Sequence, residues 1–292
     1  MNAIKLCALV FASALIPFAV RAQLYLPAGL TLEYIQQPHQ WIVAWDMHDV
    51  LVSRGKLKTT ALFATNSPLL FSSGLKVGLS QILSPLTGMP NNEQKAWQEI
   101  KMLPAGMSFS AETYETIFKK YQLKELAEFA KSLDLSYLPT PGIQAIVQSL
   151  HTAGIEQRLA SNIGPRVFEE YKTETKSPIF DMISPGMVVS IPLKRDTKLA
   201  EIAAPAAAMR APFVSPHNIC SFAKPDPRYF KQFISIFNAA LDHLVLFIDD
   251  RLDNIKAAVD AGMIGFHFDR TQDLNQLLKE LDAALHSLGI LH

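Results

Sequence analysis

The sequence predicts an α/β protein, in which a mainly parallel β-sheet is covered by helices on both faces. Two apolar runs carry this prediction. Residues 41–45 and 244–248 are each long enough for a buried strand, and each run ends in acidic residues, at Asp46 and at Asp249 and Asp250. Elsewhere strand-like runs alternate with helical patterns, which is typical of parallel sheets. Because such sheets bind ligands at the carboxyl ends of their strands, both acid groups are expected at one functional edge.

The first 22 residues have the pattern of a secretory signal peptide. A basic start at Lys5 precedes an apolar stretch from Leu6 to Val20, and Ala22 gives a small side chain before Gln23. The alternative is a permanent membrane anchor, but the stretch is about fifteen residues long, and a membrane-spanning helix needs roughly twenty. We therefore expect cleavage after Ala22 and an exported protein, periplasmic or secreted, without a stable membrane anchor.

The composition is that of a globular protein with a large core. Of the 292 residues 49% are apolar, and 27 basic residues balance 27 acidic ones. Loss of Lys5 and Arg21 with the leader leaves a net charge of −2, so nucleic acid is not an expected partner. Cys7 lies in the leader, which leaves Cys220 alone and excludes an internal disulfide in the mature chain. The sequence leaves the oligomeric state open.

The chain is predicted to consist of a core in two parts with a helical insertion between them. Residues 23–51 hold a proline-containing lead-in and the first strand. Residues 52–139 show little of the alternation typical of strands, but they have helical spacing over 93–102 and 111–133. Residues 140–292 complete the core.

The second part of the core alternates between helices and strands. Residues 185–219 interrupt it, are rich in Ala and Pro, and are predicted as a surface excursion with a helical piece near 198–209. In chain order the other predicted elements are a helix over 143–150, a strand over 155–160, a short strand at 182–184, a helix over 227–240, a strand over 244–248, a helix over 254–261, a strand over 264–268 and a helix over 273–288.

Four short motifs stand at or near the ends of predicted strands. They are DMHDVL with Asp46, LASN with Ser161, AKPDPRYF with Lys224, and LFIDDRLDNIKAAVDAGM with Asp250. In this order they resemble the motifs of the haloacid-dehalogenase-like (HAD) hydrolase superfamily, and in detail its subfamily IA. The resemblance covers residues 41–51 and 139–268. It implies a Rossmann-like core and a mostly helical cap domain at 52–139.

The resemblance also implies a phosphoryl-transfer site that binds Mg²⁺. Asp46 would be the nucleophile and would form an aspartyl-phosphate that water later cleaves. The ion would be held by Asp46, by the backbone carbonyl of His48 and by Asp250, with Asp249 beside it. Lys224 would offset the negative charge that the substrate and the carboxylates bring together.

The remaining motif residues would hold the substrate and the acid loop. Ser161 and the backbone N–H of Asn162 would bind a phosphoryl oxygen, and Asn254 would form hydrogen bonds within the loop. The expected activity is that of an exported, Mg²⁺-dependent phosphatase of small phosphorylated molecules. Motifs of dinucleotide binding, P-loop hydrolysis, zinc proteolysis and serine hydrolysis are absent from the sequence.

One position departs from the family pattern. Phosphatases of the family carry a second aspartate two residues after the nucleophile as general acid and base, and this chain has His48 there. An imidazole can transfer protons near neutral pH and so retain a hydrolytic role. The alternative is a catalytically impaired protein that keeps the fold for binding or interaction. Asp49 stands where the family usually has glycine, and Asp tolerates turn conformations well.

Other interpretations of the same residues stay open. Family branches that hydrolyse carbon–halogen or phosphorus–carbon bonds also lack the second aspartate, although dehalogenation needs no metal. In purely structural interpretations, Ser161 and the acid pair Asp249 and Asp250 cap the helices that follow them, and Lys224 is a solvated loop lysine.

The aromatic residues and histidines outside the motifs are given structural roles. Trp45 and Phe247 are predicted as core aromatics. The histidines without ligand spacing are interpreted as surface or packing residues, and they are His39, His151, His217, His243, His267, His286 and His292.

Overall fold

The protein, represented by a computed structural model, folds around a six-stranded β-sheet. The residues that the structure describes are 23–54, 64–69, 92–101, 111–134, 136–163, 168, 171–173, 175–187, 222–238 and 243–292. The predicted signal peptide at 1–22 lies outside them, as do most of the predicted excursion at 185–219 and its helical piece near 198–209. No helix within the described ranges combines the length and the apolar character needed to cross a bilayer.

The six-stranded sheet is parallel except at one edge. In chain order the strands are β1 (Leu24–Tyr25), β2 (Gln40–Trp45), β3 (Val52–Arg54), β4 (Tyr137–Pro139), β5 (Glu156–Ala160), β6 (Ser184–Met187), β7 (His243–Asp249) and β8 (Ile264–His267). The sheet has the order β1-β8-β7-β2-β5-β6, and only β1 runs antiparallel to its neighbour. The predicted α/β fold is confirmed, with an added edge strand inside the predicted lead-in. Two residues are too few for a strand pattern to be recognised in the sequence.

Helices cover both faces of this sheet, as predicted. In chain order helices α1 to α9 are Leu32–Ile35, Asn92–Lys101, Ala111–Lys120, Lys124–Asp134, Ile143–Thr152, Ile179–Met182, Pro227–Phe237, Leu252–Asp260 and Leu274–Ser287. Successive side chains of β2 point to opposite faces. Val43 and Trp45 are buried in one cluster with α5 and α9, while Ile42 and Ala44 are buried in another with α7 and α8. The core position predicted for Trp45 is therefore confirmed.

The elements predicted for the second part of the core are present, with bounds that differ by a few residues. The largest difference concerns the short strand expected at 182–184. Residues up to Met182 belong to helix α6, and the strand is β6, which begins at Ser184. Phe247, the second predicted core aromatic, is fully buried in β7.

The segment predicted as a helical insertion begins and ends in a short two-stranded ribbon. β3 pairs antiparallel with β4, with Val52 opposite Pro139 and Arg54 opposite Tyr137. Strands of three residues give too little alternation to be recognised in a sequence, so this ribbon was not expected. It joins both ends of the insertion to the core at one place.

Between the two strands of the ribbon, helices α2, α3 and α4 share a small apolar cluster. The helix predicted over 111–133 is in fact two helices. The break lies at Gln122, whose φ of 62° is left-handed and ends α3. Parts of the insertion at 55–63, 70–91 and 102–110 lie outside the described residues. That the insertion forms a separate cap domain stays a prediction.

Candidate functional site

The carboxyl ends of the two central strands bring three acidic residues together. β2 and β7 are parallel neighbours, with Trp45 opposite Ile248. Asp46 follows β2 directly, and its backbone N–H donates to the carbonyl of Ile248 at 2.9 Å. Oxygens from the carboxylates of Asp46, Asp249 and Asp250 all lie within 4.8 Å of one another. Residues about two hundred positions apart in the sequence therefore form one acidic group.

Lys224 lies between two of these carboxylates. Its Nζ is 2.8 Å from Oδ1 of Asp46 and 2.7 Å from Oδ2 of Asp249, and its side chain is 1% exposed. The ring of Phe247 lies 5.1 Å from the same nitrogen. Burial alone would lower the pKa of Lys224, but the charges of Asp249 and Asp46 outweigh it and raise that pKa. The interpretation of Lys224 as a solvated loop lysine is therefore wrong.

Asp249 is fully buried, and protein donors occupy both of its oxygens. Besides Lys224, it accepts hydrogen bonds from Nδ2 of Asn254 at 2.9 and 3.0 Å and from the backbone N–H of Arg251 at 2.9 Å. Burial raises its pKa to about 6, while Lys224 acts in the opposite direction and Asp46 raises it further. Because its oxygens are already occupied by protein donors, Asp249 suits the position that the sequence predicts for it, next to an ion. This geometry also matches the hydrogen bonding within the loop that was predicted for Asn254.

Asp250 has a different environment. Asp250 lines the cavity, and no hydrogen bond from the described residues is among the main causes that act on the pKa of its carboxyl group. Burial, and then the negative charges of Asp46, Asp249 and Asp49, raise its pKa to about 8. Carboxylates this close repel one another when all are ionised.

A hard divalent cation would relieve this repulsion. Carboxylate and carbonyl oxygens are the ligands that Mg²⁺ prefers. Asp46 and Asp250 offer such oxygens next to the cavity, and Asp249 is held behind them by Lys224 and Asn254. The donor set of the described residues therefore fits the ion that the sequence predicts.

The acidic group opens into a cavity of about 230 Å³. Ser161, Asn162 and Tyr137 are among the residues that line it, together with the carboxylates and Lys224. Pockets for drug-sized ligands usually measure at least about 300 Å³. The volume is therefore suited to a small molecule.

Ser161 and Asn162 follow strand β5, next to β2 in the sheet. Oγ of Ser161 is buried and has no hydrogen-bond partner among the described residues, so it is available to a ligand. The side chain of Asn162 accepts from the backbone N–H of Lys224 at 2.9 Å and donates to its carbonyl at 3.0 Å. Asn162 thus fixes the loop that carries the buried lysine. The sequence interpretation assigned Asn162 only a backbone role and missed this contact.

His48 and Asp49 form the turn that leaves β2. Asp49 has a φ of 58°, a left-handed conformation, and its N–H donates to the carbonyl of Val52 at 2.6 Å. This agrees with the expectation that Asp replaces a glycine in a turn. The ring of His48 lies 4.7 Å from that of Tyr137, with 56° between the planes, and both residues line the cavity. His48 is therefore part of the cavity wall next to the ribbon.

The sequence interpretation gave no functional role to three residues of the site. Tyr137 reaches the cavity only because β4 pairs with β3. Arg251 lies at the cavity and forms an ion pair with Asp253, with 2.6 Å between Nη2 and Oδ2. His267 was interpreted as a surface or packing residue, but its Nε2 lies 3.0 Å from the backbone carbonyl of Asp250. Its position at the end of a predicted strand was the one signal that could have identified it.

Comparison with known proteins gives matches among solved structures. No protein-family model matches the sequence, and no curated protein does. A haloacid dehalogenase-like family hydrolase from Xanthomonas campestris is 12% identical, with a TM-score of 0.47 over 87% of this chain and 95% of that chain. A HAD phosphatase from Thermococcus onnurineus is 14% identical, with a TM-score of 0.44 over 84% and 99%. A dehalogenase is 12% identical, with a TM-score of 0.42 over 82% and 88%.

Two of these proteins, those from Xanthomonas campestris and Thermococcus onnurineus, are named as members of the superfamily that the four sequence motifs resemble. Likenesses this weak do not assign an activity, and they include both a phosphatase and a dehalogenase. Function therefore has to be inferred from the side chains of the site.

Proposed function

We propose that this chain is a HAD-like hydrolase that cleaves small phosphate monoesters with the help of Mg²⁺. One observation carries the proposal. The carboxylate of Asp46 lies at a small cavity, 2.8 Å from the buried ammonium group of Lys224 and within 4.8 Å of Asp249 and Asp250. A carboxylate nucleophile, a fixed cation and acidic ligands for a metal are the groups that phosphoryl transfer through an aspartate needs.

In the proposed reaction the carboxylate of Asp46 attacks the phosphorus atom of the ester. The bond from phosphorus to the ester oxygen breaks, and the leaving alkoxide takes up a proton, which His48 at the cavity wall would supply. Water would then attack the phosphorus of the aspartyl-phosphate and give a proton back to His48. The bond from phosphorus to Asp46 breaks, inorganic phosphate leaves, and both Asp46 and His48 are restored.

The other residues would stabilise the charge that moves during both steps. Lys224 sits beside the nucleophile and would attract the phosphoryl oxygens, while the unpartnered Oγ of Ser161 would donate a hydrogen bond to one of them. Mg²⁺, held by Asp46, Asp250 and the carbonyl of His48, would supply further positive charge at the phosphoryl group.

Replacement of the nucleophile tests the proposal. Asp46→Asn removes the attacking charge while keeping the size of the side chain, so hydrolysis of a generic phosphate ester in the presence of Mg²⁺ is expected to cease. Asp282→Asn is the control, because Asp282 is an exposed residue of α9. Equal rates for wild type and Asp46→Asn would remove the assignment of Asp46.

Removal of the metal tests the role of Mg²⁺. Addition of a chelator is expected to stop the hydrolysis of the phosphate ester. If the protein instead released halide from haloacids, and continued to do so with the chelator present, the result would support a dehalogenase.

A second candidate function is phosphate binding without turnover. It is supported by His48, which replaces the usual second aspartate and packs against Tyr137. In this case the wild-type protein would bind inorganic phosphate in calorimetry but hydrolyse no ester in a broad panel. His48→Asp would then be expected to produce hydrolysis. Turnover by the wild-type protein would exclude this candidate.

A further inference from the structure

The loop that carries Asp250 is attached to the neighbouring strand at two points. In the sheet, Asp249 at the end of β7 is opposite His267 at the end of β8. Beyond this pair, the backbone N–H of Phe268 donates to the carbonyl of Asp249 at 2.9 Å. The second attachment is made by a side chain, since Nε2 of His267 lies 3.0 Å from the carbonyl oxygen of Asp250.

The direction of this second hydrogen bond follows from its acceptor. A carbonyl oxygen can only accept, so Nε2 of His267 must carry the hydrogen. Both the neutral ring with its proton on Nε2 and the doubly protonated ring can donate in this way. The contact therefore does not depend on the charge of His267.

The backbone contact is important because the side chain of Asp250 has little other support. Asp249 is held by Lys224, Asn254 and the N–H of Arg251, whereas no hydrogen bond from the described ranges is among the main causes that act on the pKa of the Asp250 carboxyl group. Its orientation toward the cavity is thus determined by the backbone of the loop.

We propose that His267 is a positioning residue of the metal site. By holding the carbonyl of Asp250, it directs the carboxylate of that residue toward the oxygens of Asp46, so that both can bind one divalent ion. This inference rests on the proposed function, because it assumes that the acidic group binds Mg²⁺. Residues that orient metal ligands in this way commonly contribute about 10- to 100-fold to metal affinity.

Two variants separate the donated hydrogen bond from simple packing. His267→Met keeps a side chain of similar length but cannot donate, whereas His267→Gln keeps an N–H donor near the place of Nε2. His243→Met is the matched control, since His243 stands at the opposite end of β7, away from the acid loop. Mg²⁺ binding is measured by calorimetry on the full chain, and the melting temperature without metal reports on folding.

We expect His267→Met to bind Mg²⁺ about 10- to 100-fold more weakly than wild type, and His267→Gln to recover most of the loss. His243→Met should bind as wild type does. Wild-type affinity in His267→Met would overturn the inference, and so would an equal loss in the Met and Gln variants, since that loss would not depend on a donor. If the wild-type protein itself binds no Mg²⁺, the proposed metal site fails and the inference fails with it.

Discussion

At the scale of single residues, the site places one buried ammonium group among three carboxylates, so the negative charge is only partly compensated. Lys224 supplies one positive charge to two carboxylates, those of Asp46 and Asp249, at distances of 2.8 and 2.7 Å. Asp250 forms no such ion pair among the described side chains, and the charge of Lys224 offsets only part of the rise in its pKa. Removing one member of a buried ion pair usually costs about 3–5 kcal/mol, because a charge is left without a partner. Removal of the Lys224 ammonium group is therefore expected to destabilise the fold as well as to impair the proposed chemistry.

The raised pKa of Asp250 predicts how the stability of the metal-free protein depends on pH. Burial and the charges of Asp46 and Asp249 raise this pKa to about 8, whereas an aspartate in an unfolded chain has a pKa of about 4. The folded protein thus holds the proton to higher pH than the unfolded chain does. We expect the free energy of unfolding to be highest near the low end of this window and to fall as the pH rises from about 4 to about 8.

Urea unfolding at several pH values, with a chelator and with Mg²⁺, measures this dependence. Asp249, whose pKa is also raised, to about 6, contributes in the same direction. Asp250→Asn should make the pH dependence shallower, and Mg²⁺ should stabilise the wild-type protein more at pH 8 than at pH 5, since binding displaces the proton. A metal-free protein that becomes more stable between pH 5 and pH 8 would contradict the prediction.

At the scale of elements, the packing of β8 against α8 depends on a glycine. A Cβ atom at Gly265 would lie 2.7 Å from Cγ2 of Ile255 and 3.1 Å from Cγ2 of Val259. Both distances are too short for carbon atoms in contact. The absence of a side chain therefore lets α8 lie close to the strand, which fixes the helix that follows the acid loop.

Gly265→Ala is expected to destabilise the protein by about 1–3 kcal/mol, as overpacking of a core does. The measurement is urea unfolding monitored by circular dichroism. Ile255→Leu removes the Cγ2 methyl group, so the double variant should recover part of the loss. An alanine variant as stable as wild type would mean that α8 can shift without cost.

The elements also show where sequence reasoning succeeds and where it stops. Long apolar runs such as 41–45 and 244–248 can be recognised in the sequence, because a strand buried on both faces is apolar at nearly every position. The carboxylates that follow them were therefore located correctly. The ribbon of β3 and β4 was missed, and with it Tyr137, because pairing across more than eighty residues leaves no local pattern. The contact from His267 to Asp250 depends on the register between two strands, which the sequence does not display.

At the scale of the whole molecule, the residue that follows the predicted cleavage site belongs to the folded core. The side chain of Gln23 is buried, and its amide donates to the carboxylate of Glu280 in α9 at 3.2 Å. Leu24 then pairs with Phe266 at the edge of the sheet. Gln23 is thus an integral part of the folded body.

Expression of the full chain in a bacterial host tests the predicted leader. We expect mass spectrometry of the purified protein to show a chain that begins at Gln23, recovered from the periplasm or the medium. A signal peptidase recognises a small residue before the cleaved bond, so Ala22→Tyr should slow the cleavage. Recovery of the wild-type chain from the cytoplasm with residues 1–22 attached would refute the prediction.

The ribbon also bears on how the length of the insertion can change. Val52 and Pro139 are partners across adjacent strands, so the chain leaves the sheet and returns to it at nearly the same point. Doubling the length of a flexible loop with fixed ends costs only about 0.6 kcal/mol in closure entropy. The segment between Val52 and Pro139 can therefore change in length or sequence during evolution, while the strands of the six-stranded sheet keep their register.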